Sequence, residues 1–307
     1  MAPRLAVVGP TASGKTALAL RLAAEWPEPG DLSAEILCVD SMTVYRGMDI
    51  GTAKASNDEQ RAFVHHGLDL VEPDVEFSVA EFQRYARTVL ASTDDRGAPT
   101  VLVGGTGLYV DAIVNDFTMP GQFPEVRAKL AQDLDESGVA DLYARLVLLD
   151  PVAAARMEPT NDRRIVRALE VCVGSGKPFS SFGPGLQASR ATASAVHLVG
   201  IAWPRAELRE RIEQRFAVQL EAGFVAEAAA LLDRFGEQLS RTASQALGYR
   251  ELWSHLRGQS SLDEAIALAL QRTRQFAVRQ ERWFRRDPRI VWLTPEEAAT
   301  VDVDRFR

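Results

Sequence analysis

The chain has 307 residues, of which 46% are hydrophobic and 25% are charged, and its formal net charge is −7 at pH 7. These values are typical of a globular protein that buries one large core or a core with an insertion. No apolar run approaches the roughly 18 residues of a membrane-spanning helix, and no basic and apolar signal region precedes the first strand pattern. We therefore expect no membrane partner and a cytoplasmic location.

Strand and helix patterns alternate in the first third of the chain. Apolar runs predict strands at 5–8, 35–39 and 100–103, and helical patterns cover 17–25, 79–92 and the residues from 108 onward. This alternation predicts an α/β fold, with a P-loop-type parallel sheet core that is flanked by helices. The pair His65-His66 lies between these elements without a nearby cysteine, and we interpret it as loop or capping histidines.

The strand patterns stop between residues 115 and 195. Helices are predicted there at 125–137, 139–149, 151–156 and 162–173. Beyond this stretch we expect a strand at 196–202, helices at 205–222, 224–235, 248–257 and 262–286, and an edge strand at 289–293. The sequence thus predicts a catalytic core formed by residues 1–114 and 196–307, and an inserted all-helical subdomain at 115–195.

The segment between the first strand and the first helix matches the P-loop pattern G-x-x-x-x-G-K-[ST]. It consists of Gly9, Pro10, Thr11, Ala12, Ser13, Gly14, Lys15 and Thr16. Its backbone N–H groups and the helix N-terminus suit a diphosphate, Lys15 adds a mobile cation, and the Thr16 hydroxyl suits Mg²⁺. The pattern leaves open whether that diphosphate belongs to a nucleotide.

Asp40 ends the second strand, at the sheet edge where the P-loop also lies. Its carboxylate has two possible roles, as the Mg²⁺ ligand of a nucleotide-hydrolysing strand or as a general base. The loop at 41–54 that follows is long and non-periodic, which is typical of a functional loop.

The third predicted strand ends in Gly104-Gly105-Thr106-Gly107, where many P-loop enzymes carry an acid. The missing acid weakens the hydrolase interpretation. Thr106 can donate a hydrogen bond, and the glycines allow a flat ligand to approach the backbone. A plain strand-to-helix turn is the alternative.

Positive charge is concentrated in two places. Seven arginines lie between 272 and 289 against two acidic residues, and Arg163, Arg164 and Arg167 form a second cluster. Solvated helix faces would explain both clusters, but an RNA partner is also compatible with them.

Seven segments in this order resemble the bacterial tRNA dimethylallyltransferases, the adenosine-37 isopentenyl transferase family. They are the P-loop, Asp40-Ser41 with 45–54, and the segments 104–109, 162–170, 211–216, 246–251 and 279–283. The resemblance implies that dimethylallyl diphosphate alkylates N6 of adenosine-37 in tRNAs that read codons beginning with U, with Mg²⁺ as cofactor. Asp40 would be the general base, Thr106 would contact the adenine or its phosphate, and Arg215 would bind diphosphate.

The resemblance also implies that the helical insertion clamps the anticodon stem-loop of tRNA. We expect a monomer that contacts the RNA through Asp40, Ser41, Met42, Thr43, Thr106, Arg127, Arg163, Arg164, Ile165, Val166, Arg167, Gln245, Gly248, Tyr249 and Arg250.

Two other functions use the same motifs. An ATP-dependent small-molecule or nucleotide kinase would explain Lys15, Thr16 and Asp40, but neither the arginines of the insertion nor the acid-free turn at 104–107. A nucleotide-driven RNA-binding switch would explain the arginines and leave Asp40 without a role.

Overall fold

A computed structural model describes residues 2–26, 32–117, 119–182 and 196–306. The chain divides into two compact units, a core unit formed by 1–114 and 193–307 and a helical unit formed by 115–192. The predicted insertion extended to residue 195, and residues 183–195 lie outside the described part. Among the described residues, no helix combines the length and the apolar character needed to cross a membrane.

The core unit contains one six-stranded sheet in which every pairing is parallel. The strands are β1 (Arg4–Val8), β2 (Glu35–Cys38), β3 (His65–His66), β4 (Thr100–Gly104), β5 (Val196–Ile201) and β6 (Ile290–Leu293), and their spatial order is β3-β2-β4-β1-β5-β6. The predicted α/β class is confirmed, and β6 lies at the predicted edge. The interpretation of His65-His66 as loop residues is wrong, because they form β3 beside β2.

Twelve α-helices are described. They are α1 (Lys15–Glu25), α2 (Asn57–Ala62), α3 (Val79–Arg96), α4 (Gly107–Val114), α5 (Pro124–Leu149), α6 (Pro151–Ala154), α7 (Asp162–Ser175), α8 (Arg205–Glu221), α9 (Phe224–Phe235), α10 (Tyr249–Leu256), α11 (Leu262–Phe284) and α12 (Pro295–Thr300). The six-residue helices α2 and α12 escaped the sequence prediction, since each is too short to show a helical period and is stabilised by a capping box.

Apolar side chains cover both faces of the sheet. Along β1, Leu5 and Val7 belong to a cluster with α1, whereas Ala6 and Val8 belong to a larger cluster with α3 and the C-terminal helices. This alternation follows from the two-residue period of a strand. The carboxyl ends of β1, β2 and β4 therefore meet at one edge, where the loops that follow them carry the predicted functional residues.

The helical unit has its own core. Leu142 and Leu146 of α5 pack against Ile165 and Leu169 of α7, and all four side chains are buried. Gly138 interrupts α5 with a φ of +79°, so the two helices that the sequence predicts meet at this residue. A buried apolar core of this kind explains why the insertion is compact by itself.

Candidate active site

The P-loop runs from the end of β1 into the first turn of α1, with Gly14 as the N-cap residue. Backbone carbonyls on its far side are held by the core unit: the Trp203 indole donates to Ser13 O at 2.8 Å, and Arg211 Nε donates to Ala12 O at 2.8 Å. The loop is thereby fixed from outside, which limits the reorganisation that binding an anion would need.

A cavity of about 510 Å³ opens at the carboxyl edge of the sheet. Its wall joins the P-loop to the ends of β2 and β4 and to helices α8, α10 and α11. Predicted site residues in the wall are Thr11, Ala12, Lys15, Thr16, Asp40, Ser41, Met42, Thr43, Thr106, Arg215, Gln245, Tyr249 and Arg250. The structure therefore brings together the predicted phosphate site, the predicted base and the predicted adenine contact.

Three charged groups interact inside this cavity. Burial and the neighbouring Arg215 lower the pKa of Lys15 to about 8, while Asp40 acts in the opposite direction. Desolvation also lowers the pKa of Arg215, and Asp40 again opposes the shift. Two cations thus share one nearby carboxylate in a partly desolvated space, which favours the binding of an additional anion.

Asp40 is held next to Thr106 by backbone hydrogen bonds. Met42 N donates to Asp40 Oδ1 at 2.8 Å, and Ser41 N donates to Thr106 Oγ1 at 3.2 Å. A Cβ on Gly104 would lie 2.0 Å from the Val39 carbonyl oxygen, so only glycine allows β4 to end this close to β2. Gly104 therefore serves the approach of the two strands.

The loop at 41–54 is clamped by one partly buried side chain that no sequence motif indicates. The Glu227 carboxylate accepts hydrogen bonds from the N–H groups of Asp49 (3.1 Å), Ile50 (2.8 Å) and Gly51 (3.1 Å), and from the Tyr249 hydroxyl. No short motif surrounds Glu227, which on sequence alone is one acid among many on a helix. The clamp fixes the stretch of loop from which Thr52 O accepts a bond from Arg215.

Lys54 holds the same loop from its C-terminal end. Its ammonium group donates to Tyr45 O at 2.8 Å and pairs with Asp69 at 2.7 Å, and only 3% of its side chain is exposed. We therefore assign Lys54 to the loop architecture.

Two predicted RNA contacts of the core unit take structural roles. The Tyr249 side chain is fully buried, and burial together with Glu227 raises its pKa. Gly248 is also buried, and a Cβ there would lie 2.8 Å from the Phe224 ring. We reassign Tyr249 to holding the loop through Glu227, and Gly248 to the close packing against the Phe224 ring. Arg250 and Gln245 do line the cavity and bond to each other at 2.9 Å.

In the helical unit, the predicted RNA contacts fall into three groups. Arg163 and Arg164 are exposed in the first turn of α7. Ile165 and Val166 are buried in the core of the unit, so their side chains are not exposed for the RNA contact that the resemblance implies.

Arg127 and Arg167 form the third group, because both pair with one buried acid. The Glu170 side chain is 1% exposed and lies 3.0 Å from Arg127 Nη1 and 2.8 Å from Arg167 Nη1. A buried carboxylate requires such partners, so these two arginines neutralise Glu170.

The Glu227 clamp predicts a specific effect of Glu227→Gln. Because the Gln amide nitrogen would face N–H donors, we expect the substitution to lower the free energy of unfolding by about 1–3 kcal/mol. Urea denaturation measures this change, and hydrogen exchange is expected to accelerate at residues 49–51. Glu237→Gln is the control, since 97% of that side chain is exposed. Equal exchange rates at 49–51 in both variants would show that no clamp exists.

The lowered pKa of Lys15 predicts that diphosphate binding depends on pH. Below about pH 8 the ammonium is charged and would bind the anion, and above it the group loses its proton, so the Kd for inorganic diphosphate should rise by up to about tenfold per pH unit. Calorimetric titrations between about pH 7 and pH 9.5 measure this slope. In Lys15→Arg the charge persists, so the slope should shrink. This comparison cancels the ionisation of diphosphate itself, and identical slopes would refute the role of Lys15.

Known proteins match this chain over most of its length. The family model described as IPP transferase matches residues 43–287. The tRNA dimethylallyltransferase of Thermobifida fusca is 46% identical over 98% of this chain and 93% of the relative, and that of Streptomyces coelicolor is 44% identical over 99% and 95%. The crystal structure of the full-length tRNA isopentenylpyrophosphate transferase from Bacillus halodurans matches with a TM-score of 0.66 at 36% identity, over 96% of this chain and 90% of that one. The chain belongs to the IPP transferase family.

Proposed function

We propose that this protein transfers the dimethylallyl group from dimethylallyl diphosphate to N6 of adenosine-37 in tRNAs that read codons beginning with U. Family membership favours this transfer over the kinase alternative. The main structural support for this chemistry is the cavity, in which the cations Lys15 and Arg215 interact electrostatically with one carboxylate, Asp40. Such a site offers positive charge to a leaving group and a base to a nucleophile.

The P-loop end of the cavity would hold the diphosphate of the donor. As the C1–O bond of the dimethylallyl group breaks, negative charge grows on the leaving oxygens. Fixed donors and cations lower the barrier for such a step because they need no reorganisation. The P-loop amides other than those of Thr11 and Ser13, which donate within the protein, would supply this stabilisation together with Lys15 and Arg215.

The site also fits a magnesium ion. Thr16 lines the cavity and lies in the first turn of α1, and hydroxyl and phosphate oxygens are the hard donors that Mg²⁺ prefers. Thr16 would hold the ion, and bound Mg²⁺ would neutralise charge on the diphosphate. Lys15 and Arg215 would contribute in the same direction.

Asp40 would act as the base for the acceptor. The adenine amine is a poor nucleophile, and it gains from a carboxylate that takes its proton while the N6–C1 bond forms. The balance of the step is one N6–C1 bond formed, one C1–O bond broken, one proton moved to Asp40 and diphosphate released. Thr106, whose Oγ1 lies 3.2 Å from Ser41 N, would orient the adenine ring beside Asp40.

The target adenosine would enter the cavity after leaving its stack in the anticodon loop. Gln245 and Arg250 lie in the cavity wall and would contact the RNA there. Arg163 and Arg164 of the helical unit would bind phosphates of the stem-loop. Since tRNA is the proposed acceptor, we propose that the protein acts in the cytoplasm. One chain supplies every residue named for the reaction, which is compatible with a monomer.

A transfer assay tests this function. We expect protein, tRNA, Mg²⁺ and labelled dimethylallyl diphosphate to give labelled adenosine and diphosphate. Asp40→Asn should lower turnover by about two orders of magnitude or more, because the acceptor amine loses its base. Its affinities for the donor and for tRNA should stay within several-fold.

Two outcomes would count against this mechanism. If well-folded protein transfers no label and hydrolyses ATP instead, the kinase alternative is correct. If Asp40→Asn mainly abolishes Mg²⁺-dependent diphosphate binding, Asp40 is a metal ligand and not the base.

The helical unit provides a second prediction. Replacing Arg163 and Arg164 by Ala should weaken tRNA binding and reduce the slope of log K against log salt by about 1.5, as expected for two lost phosphate contacts. Filter binding over a salt series measures this slope. Lys129→Ala is the matched control, since Lys129 is an exposed cation of the same unit.

Arg127→Ala should act differently, because it removes a partner of buried Glu170. We expect a loss of about 1–3 kcal/mol in unfolding free energy and little change in the salt slope. An unchanged slope in the Arg163/Arg164 variant would reject these two residues as RNA contacts.

A further inference from the structure

One buried amide side chain connects the P-loop with the turn after β4. Gln280 of α11 is 5% exposed; its Oε1 accepts a hydrogen bond from Thr11 N at 2.9 Å, and its Nε2 donates to Gly105 O at 2.8 Å. Thr11 belongs to the P-loop after β1, whereas Gly105 belongs to the turn after β4. Gln280 therefore bridges two loops that are 94 residues apart in the sequence.

The fit around Gln280 is close. A Cβ on Gly105 would lie 2.5 Å from Gln280 Nε2 and 3.1 Å from Gly9 O, so the turn approaches both the amide and the P-loop backbone. An amide is needed for this bridge, because one end must accept and the other must donate. A glutamate lacks the donor, and a methionine of similar size lacks both groups.

Neighbouring residues on the same face of α11 reinforce the connection. Ala277, one turn before Gln280, belongs to a buried cluster with Ala12 of the P-loop. Trp283, one turn after it, donates from Nε1 to Asp111 Oδ2 of α4 at 2.9 Å. Because residues three apart share one helix face, α11 contacts the P-loop first and then the helix that follows the turn.

The bridge leads directly to the groups that would meet the acceptor. Thr106 follows Gly105, and its Oγ1 accepts from Ser41 N, next to Asp40. Moving the turn relative to the P-loop would thus change the distance between the diphosphate site and the site of the acceptor amine. Reacting atoms must come within roughly 3–3.5 Å, and a misplacement of about 1 Å can reduce a rate about a hundredfold.

We propose that Gln280 is a positioning residue that sets the separation between the diphosphate cradle, formed by P-loop residues 9–16, and the acceptor site, formed by Asp40 and Thr106. The proposal rests on the transfer reaction proposed above. Gln280 acts through the backbone of Thr11 and Gly105. Its loss is expected to affect the rate at saturation far more than the binding of either substrate.

Steady-state kinetics of Gln280→Met test this role. We expect kcat for dimethylallyl transfer to fall about 10- to 100-fold, while KM for the donor and for the tRNA stay within about threefold. Gln280→Glu keeps the acceptor for Thr11 N and loses the donor to Gly105 O. It should lower kcat as well and also raise the donor KM, because it adds negative charge beside the cradle.

Gln271→Met is the matched control, since Gln271 is an exposed residue of the same helix outside the cavity wall. It should behave like the unaltered protein. A purely structural role of Gln280 would lower the melting temperature and leave kcat of the folded fraction unchanged, and that result would overturn the proposal. A loss confined to KM would overturn it equally.

Hydrogen exchange on the unaltered protein gives a second test that needs no variant. Inorganic diphosphate with Mg²⁺ should slow exchange at residues 104–107 as well as in the P-loop, because Gln280 ties the two together. Protection confined to residues 9–16 would contradict the proposal. If the unaltered protein transfers no label, the proposed function fails, and the exchange experiment still decides whether the two loops are linked.

Discussion

The proposed site is organised around a local excess of positive charge in a partly desolvated cavity. Lys15 and Arg215 interact there with a single carboxylate, Asp40, and burial lowers the pKa values of both cations. Keeping two cations together away from water is unfavourable unless an anion joins them. A diphosphate would satisfy this requirement, and its departure as a leaving group would use the same charges in the transition state.

The fold supplies this arrangement through backbone contacts. A parallel sheet places the ends of β1, β2 and β4 at one edge, which is where ligands collect in α/β proteins. Side chains from the C-terminal helices then fix each loop through its main chain: Glu227 holds residues 49–51, Gln280 joins Thr11 to Gly105, and Arg211 holds Ala12. The groups that would touch substrate are thus supported by residues distant in the sequence.

Much of the site could be predicted because its signals are local. The P-loop pattern, the acid just after β2 and the acid-free turn after β4 each lie within a few residues, and the alternation of strands and helices follows from the apolar runs. The supporting contacts could not be predicted, because Glu227 and Gln280 act on loops more than 170 residues away. The resemblance likewise implied that Tyr249 contacts RNA. Its side chain is fully buried, which fits a residue that holds the loop at 41–54.

We propose that the P-loop holds a leaving group and not a phosphoryl donor. Calorimetric titration with Mg²⁺ and either dimethylallyl diphosphate or ATP tests it most directly. We expect dimethylallyl diphosphate to bind more tightly than ATP, and Lys15→Ala to weaken that binding strongly. Tighter binding of ATP, accompanied by its hydrolysis, would contradict the claim.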